Sequence, residues 1–269
     1  MRLPESFSGG RLTLLQGGLT NQSYQLKLPR GDFFLRVSTP FAARLGIKRG
    51  HELVLHKLAA EHDLAPRLHF IDPEQGLLIS DWVTPSAEPA DWHLPTGIRR
   101  LAELTSRIHA LPAPALRLDL EAHLRFYLAR ICHRDPRITR LFYSMVERLQ
   151  RLPPHPAVFC HNDISPANLL GDPLRLVDWE YAGVGDPAFE LAGLIRAFAF
   201  NESEALQLLA SYQELGGDCP WSRVEQMLRI VDFVAVLWAN VFWESSNEVC
   251  YKEMLEQRLS ALCVLEGVS

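Results

Sequence analysis

His161-Asn162-Asp163-Ile164-Ser165-Pro166-Ala167-Asn168, and then Leu174-Arg175-Leu176-Val177-Asp178-Trp179-Glu180-Tyr181, decide how the rest of this chain is read. An aspartate and an asparagine share one short loop. A second aspartate leaves the end of a short apolar run 15 residues after the first. Magnesium-assisted transfer of a phosphoryl group to a hydroxyl needs such a set. It takes a carboxylate to orient and deprotonate the attacking oxygen, and two oxygen ligands for a metal on nucleotide phosphates. An ordinary polar turn is also built from Asn, Asp, Ser and Pro, so the loop alone leaves both readings open. Asp178 changes the weighing, because two apolar runs then flank one polar loop and each delivers a carboxylate at its edge.

Working outward, Ala157-Val158-Phe159-Cys160 reads as a short buried strand entering a loop that Pro166 keeps from becoming helical. The first third of the chain is β-rich. Leu12 to Leu15, the alternating Tyr24-Leu26-Leu28 and Phe33 to Val37 predict an antiparallel meander, with a turn at Pro29-Arg30-Gly31-Asp32. Helical spacing follows over Gly46–Asp63, with Ile47, Leu53, Val54 and Leu58 expected on one side. Arg67–Ile71 and Leu77–Ser80 complete a five-stranded sheet. From Thr96 the pattern turns helical: Thr96–Leu111, Leu120–Cys132, Ile138–Leu152, Glu202–Leu215, Ser222–Trp243 and Asn247–Leu265. Asp186-Pro187 starts another helix with an N-cap acid and a first-turn proline. The expected class is α+β: a β-rich N-lobe over residues 1–83 and a helical C-lobe over residues 84–269.

A chain of 269 residues that is 48% hydrophobic buries a substantial core. Its formal charge of −5 gives no general attraction to nucleic acid or to an anionic membrane. Cys132, Cys160, Cys219, Cys250 and Cys263 are scattered and odd in number, and they read as reduced core residues of a cytoplasmic protein. The N-terminus lacks an apolar leader segment. The most apolar run, Ile230–Trp243, contains Asp232 and Asn240 and is too short to span a bilayer.

Several further residues carry chemistry if the loop does. Gly17 and Gly18, followed by Leu19-Thr20-Asn21, sit between the first two strands. There they form either an ordinary hairpin turn or a loop whose N–H groups, with the Thr20 and Ser23 hydroxyls, approach phosphate oxygens. Arg36 on the third strand and Glu52 on the following helix are either a phosphate-gripping arginine with its fixing partner, or a surface arginine and a solvated acid. Glu180, two residues after Asp178, points to the same side if the segment is extended. It is then a metal-shell or substrate contact, or else a solvated loop acid. His161 reads as a support of the loop and Asp186 as a helix cap.

The pattern His161-x-Asp163-x-x-x-x-Asn168 resembles the catalytic loop of the protein-kinase-like superfamily. Gly18-Leu19-Thr20-Asn21, Leu35-Arg36-Val37 and Val177-Asp178-Trp179-Glu180-Tyr181 are similar to segments of its small-molecule branch. That branch comprises the choline/ethanolamine and thiamine kinases, related to the aminoglycoside phosphotransferases. The resemblance implies ATP and Mg²⁺ as cofactors and a small, cationic alcohol, choline first, as the substrate partner. It implies Asp163 as base, Asn168 and Asp178 on the metal, Arg36 on the phosphates, and adenine received near Ser80, Asp81, Trp82 and Val83. Aromatic faces attract cations, so Glu180, Tyr181, Trp238 and Trp243 are the acceptor-binding candidates. Trp238 and Trp243 stand five apart and do not share one helix face, which keeps thiamine or an amino alcohol open. Seven residues separate Asp178 from Asp186, too few for a phosphorylatable activation loop. A non-catalytic nucleotide-binding scaffold is the reading outside the enzyme class.

Overall fold

The computed structural model describes residues 3–15, 20–84 and 91–268. Gly17 and Gly18 lie outside the described residues. The chain gathers into two compact units: Met1–Asp91 with Asp163–Ala182, and Trp92–Asn162 with Gly183–Ser269. The sequence suggested a single cut after residue 83, whereas the segment 163–182 groups with the N-terminal residues. Backbone bonding gives one reason, since the Leu176 N–H donates to the Leu64 carbonyl at 2.8 Å.

The first unit opens with β1 (Arg11–Leu14), β2 (Asn21–Leu28) and β3 (Gly31–Ser38), then α1 (Phe41–Arg44) and α2 (Arg49–Glu61), then β4 (Leu68–Asp72) and β5 (Leu77–Asp81). The five strands form one antiparallel sheet in the order β1-β2-β3-β5-β4, as the alternation of apolar residues required. Gly31, at φ +137°, supplies the backbone shape that returns β2 into β3. Alternate positions split the sheet into two faces. Leu26, Phe33, Leu35, Leu77 and Ile79 bury with Phe7 on one face. On the other, β3 and β5 pair Phe34 with Ser80 and Arg36 with Leu78.

α2 turns a different side inward from the one its apolar residues suggested. Glu52, Leu55, His56 and Ala59 are buried, whereas Val54 is 49% exposed. Leu55, His56 and Ala59 stand three, four and seven positions after Glu52 and follow one helix face, and a charged residue opens it. Hydrophobic periodicity ranks a glutamate as surface, and here an ion pair described below overrides that rank.

The second unit contributes α3 (Pro95–His109), α4 (Leu120–Leu128), α5 (Pro136–Arg151) and β6 (Val158–Cys160). The chain then supplies β7 (Leu169–Leu170) and β8 (Arg175–Leu176) to the first unit. It finishes in the second unit with β9 (Gly183–Gly185), α6 (Pro187–Ala197), α7 (Glu202–Glu214), α8 (Trp221–Ser246) and α9 (Val249–Glu266). Asp119, Asp135, Asp186 and Asn201 cap four of these helices by accepting backbone N–H bonds from their first turns. α4 ends earlier than its apolar pattern, because the Cys132 and His133 N–H groups donate to the Glu244 carboxylate instead of continuing the helix.

α8 has 26 residues and is long and apolar enough by composition to cross a membrane, longer than the run read from the sequence. It is a core helix of this unit. It packs on α4, α5, α6 and α9. Two of its charged residues are paired, Arg223 with Asp186 and Asp232 with Arg196. Of the five free cysteines, Cys160, Cys219 and Cys263 are buried as expected, while Cys132 and Cys250 are exposed.

Candidate active site

β7 and β8 form a short hairpin, Leu169 opposite Leu176 and Leu170 opposite Arg175. Beyond its open end the Val177 N–H donates to the Asn168 carbonyl at 3.0 Å, so Asn168 and Asp178 leave the hairpin side by side. Pro166 starts a 3₁₀ turn, Pro166–Asn168, where the sequence suggested a wholly non-helical loop; proline is compatible with a first turn because the N–H it lacks has no partner there. The turn folds Asn168 back, and its Nδ2 donates to the Asp163 carbonyl at 2.9 Å and to Asp163 Oδ2 at 2.8 Å. The amide oxygen of Asn168 therefore faces away from Asp163. Burial pushes the Asp163 carboxyl up to about 7, the Asn168 hydrogen bond opposes that rise, and the Glu180 charge adds to it. A carboxyl poised near neutrality suits a general base.

Asp178 takes the left-handed conformation, φ +64° and ψ +64°, and starts a second 3₁₀ turn, Trp179–Tyr181. The segment is therefore not extended, so alternation along a strand does not set the direction of Glu180, although its charge still reaches Asp178. Trp179 is fully buried and its Nε1 donates to the Leu176 carbonyl at 3.0 Å, which anchors the turn. Glu180 points into a polar cluster and its side chain is only 3% exposed, so it is not a solvated acid. Thr20 Oγ1 donates to its Oε1 at 3.2 Å, and Asn21 Nδ2 donates to its Oε2 at 3.2 Å. The Thr20 hydroxyl proton is thereby directed at Glu180. Tyr181 closes the turn, half-buried.

Arg36 and Glu52 come together. Arg36 Nη1 lies 2.5 Å from Glu52 Oε1 and 3.2 Å from Asp178 Oδ1. The first contact is an ion pair without hydrogen-bond alignment, since Glu52 Oε1 accepts no hydrogen bond. Burial works against both charges. The charges of Arg36 and Arg49 nevertheless hold the Glu52 carboxyl below the usual carboxylate range, and the acids around Arg36 raise its pKa further. Arg36 Nε is enclosed and makes no hydrogen bond.

A cleft of about 410 Å³ opens within this unit, with Arg36, Asn168 and Asp178 on its wall together with Ser80, Asp81, Trp82 and Val83. That volume lies in the range of small-molecule sites. An oxygen-seeking divalent cation fits the donor set. The carboxylates of Glu52, Asp178 and Glu180 are gathered against the two guanidiniums of Arg36 and Arg49, and the Asp163 carboxyl lies within reach of the Glu180 charge. Asp178, 31% exposed, keeps a single 3.2 Å contact to Arg36, and burial followed by the Glu180 charge pushes its carboxyl well up. Asn168 Oδ1 and the Asp178 carboxylate are the oxygens that would hold the ion.

Residues 11–223 match the model of the phosphotransferase enzyme family. The chain belongs to that family. Among curated relatives of this phosphotransferase, protein LicA of Haemophilus influenzae is 26% identical over 214 residues, 73% of this chain and 61% of the relative. A thiamine kinase of Escherichia coli O9:H4 is 29% identical over 189 residues, 66% of each chain. These two matches therefore span less than two thirds of the relatives' length. Another Escherichia coli thiamine kinase is 26% identical over 251 residues, 88% of this chain and 85% of the relative. Of solved structures, choline kinase LicA from Streptococcus pneumoniae superposes with a TM-score of 0.78 at 22% identity, covering 93% of this phosphotransferase and 94% of that chain. LicA in complex with AMP gives 0.80 at 20% identity, over 96% and 93%. The fold is kinase-like.

Two residues of the phosphotransferase escaped the sequence reading. Arg49 Nη1 lies 2.7 Å from Glu52 Oε2 and 2.9 Å from Glu180 Oε2, and its Nη2 donates to Asn21 Oδ1 at 2.6 Å. The local signal was its spacing three residues before Glu52 on α2. In the second unit, Glu190 Oε1 accepts the N–H groups of His161 at 2.6 Å and Asn162 at 2.8 Å, and so fixes the residues that precede Asp163 in the chain. Its signal was an acid within the apolar run Phe189–Leu194. Trp238 packs on Phe242 at 4.1 Å between ring centroids, while Lys252 lies 5.4 Å over Trp243. The Trp243 ring thus meets a cation of the chain itself.

Proposed function

We propose that this chain, with Mg²⁺, transfers the γ-phosphoryl group of ATP to the hydroxyl of a small cationic alcohol, with choline as the first candidate. The observation that carries the reading is the gathering of Asp163, Asn168, Asp178 and the Arg36–Glu52 pair in one compact unit. In this scheme Asp163 takes the proton of the acceptor hydroxyl as its oxygen bonds to phosphorus, and ADP leaves with the electrons of the broken bond. Asn168 holds the Asp163 carboxylate in place through Nδ2 and gives Oδ1 to the metal together with Asp178. The metal supplies neutralisation of phosphate charge. Arg36, fixed by Glu52 and standing on the cleft wall, offers the free part of its guanidinium to phosphate oxygens. Ser80 to Val83 receive the adenine, and Thr20 and Asn21 border the phosphates.

Thiamine is the second reading for the acceptor, supported by the 251-residue match to a thiamine kinase that covers most of both chains. The test is acceptor-dependent ADP release by the purified chain with ATP and Mg²⁺, against choline, ethanolamine, thiamine and an aminoglycoside. Release with choline is the expected result, and release with thiamine alone moves the assignment to the second reading. Silence across the panel, joined to ATP binding indifferent to Mg²⁺ in a thermal-shift titration, would favour a non-catalytic scaffold and overturn the proposal.

A further inference from the structure

Arg49 is the most connected cation of the first unit's polar cluster, and the sequence motifs assign it nothing. Its side chain is 11% exposed. It joins three stretches of chain: Asn21 at the start of β2, Glu52 on α2, and Glu180 in the turn after Asp178. Each partner also holds something else. Glu52 gives Oε1 to Arg36 while Arg49 takes Oε2. Glu180 receives Thr20 and Asn21. Asn21, through Oδ1, also accepts the Ser38 hydroxyl at 3.4 Å.

We propose that Arg49 is a positioning residue for nucleotide binding, acting through Glu52 on Arg36; this rests on the kinase reading above. By occupying Glu52 Oε2, Arg49 limits Glu52 to a one-oxygen hold on Arg36 Nη1. The rest of the Arg36 guanidinium stays available to a phosphate. Without Arg49, the buried Glu52 carboxylate has only one cation left. Its lowest-energy response is to turn both oxygens onto Arg36 in a parallel two-bond clamp. Donors meant for phosphate are then consumed inside the protein. Arg49 also neutralises Glu180, so its loss leaves a second, separate defect: an enclosed carboxylate without its guanidinium.

The two defects are separable. Arg49→Met is expected to raise the KM for ATP about tenfold, the scale of one charge-assisted hydrogen bond to phosphate. The KM for the acceptor should stay within about twofold, since the change is confined to donors that meet the phosphates. The same variant should unfold at lower denaturant than wild type. Adding Glu180→Gln removes the stranded charge and should return the midpoint towards that of Glu180→Gln alone, while the ATP KM stays raised. Arg49→Lys, which keeps the charge without the fork, should recover stability more than ATP affinity. Recovery of the ATP KM together with stability in the double variant would reduce Arg49 to a structural role and overturn the proposal. So would an equal rise in both KM values. Direct calorimetric titration of ATP separates this from the reading it rests on. A wild-type chain that binds no ATP sinks the kinase assignment and this role with it. Equal ATP affinity in wild type and Arg49→Met sinks the role of Arg49 alone.

Discussion

Each compact unit buries a polar cluster, and the two clusters are built on opposite plans. In the second unit every oxygen of the Glu190 carboxylate is engaged. Oε1 accepts two backbone N–H groups, and Oε2 lies 2.6 Å from His109 Nε2, whose ring in turn meets the Tyr212 hydroxyl at 2.7 Å. In the first unit Arg36 Nε and Arg49 Nε are enclosed without hydrogen bonds, and the carboxylates of Glu52, Asp178 and Glu180 meet the two guanidiniums. A closed network stiffens a fold. An open one, with donors unused and two carboxyls held above their ordinary range, leaves a charged ligand something to complete.

The contrast breaks most decisively at Asp163. Asp163→Asn should lower turnover by about a thousandfold while ATP binding stays near wild type, since a general base acts in the transition state. Steady-state kinetics with an ATP titration reads both, and unchanged turnover would take Asp163 out of the mechanism. In the closed cluster the expected damage is to stability. Glu190→Ala should cost about 3 kcal/mol in chemical denaturation, because it strands two backbone N–H groups and a histidine in the interior. If it left stability intact and abolished ATP binding, the division between site and strut would fail.

Acid sharpens the same contrast by a smaller amount. Burial works against the Glu190 charge, but the His109 hydrogen bond and charge outweigh it and hold the carboxyl below its ordinary range. Its contribution is thus complete above the carboxylate range and disappears as pH falls through the lowered value. His123, also in the second unit, has its pKa pushed down by burial to about 4 from an ordinary 6.5. Between those values the unfolded chain binds the proton and the folded chain does not, so stability declines as pH drops from 6.5 to 4 and levels off below. The decline should be about 2 kcal/mol, less than the full shift implies because the ring is partly exposed. His123→Phe should flatten that limb in pH-dependent denaturation and leave the Glu190 limb in place. A variant with the wild-type slope would show that His123 does not titrate in the folded chain as burial implies.

How far the sequence carried the reading follows from the range of each interaction. The sheet was legible because β2 and β3 alternate and a Gly-containing turn joins them. Asp163, Asn168 and Asp178 were legible because one loop and one hairpin place them locally, and Arg36 with Glu52 because strand and helix succeed each other. Arg49 was missed although it stands three residues before Glu52, since its tie to Glu180 spans 131 positions. The inward side of α2 was misread for a related reason: the ion pairs that bury Glu52 outweigh the apolar preference of Val54, and periodicity counts only the latter. The surroundings of Glu180 were not legible, because the left-handed Asp178 two positions before it turns the chain out of the extended path that alternation assumes.

That left-handed residue also narrows what can stand at position 178. Few side chains tolerate the conformation, asparagine and aspartate foremost among those with a Cβ, and others lose about 1–2 kcal/mol there. Glutamate keeps the negative charge but strains the backbone, glycine relaxes the backbone but removes the carboxylate, and asparagine keeps the shape while losing the charge. For the proposed metal-holding role, backbone and chemistry thus filter the position independently, and aspartate alone passes both. On that role, genetic drift has no neutral exit from the site.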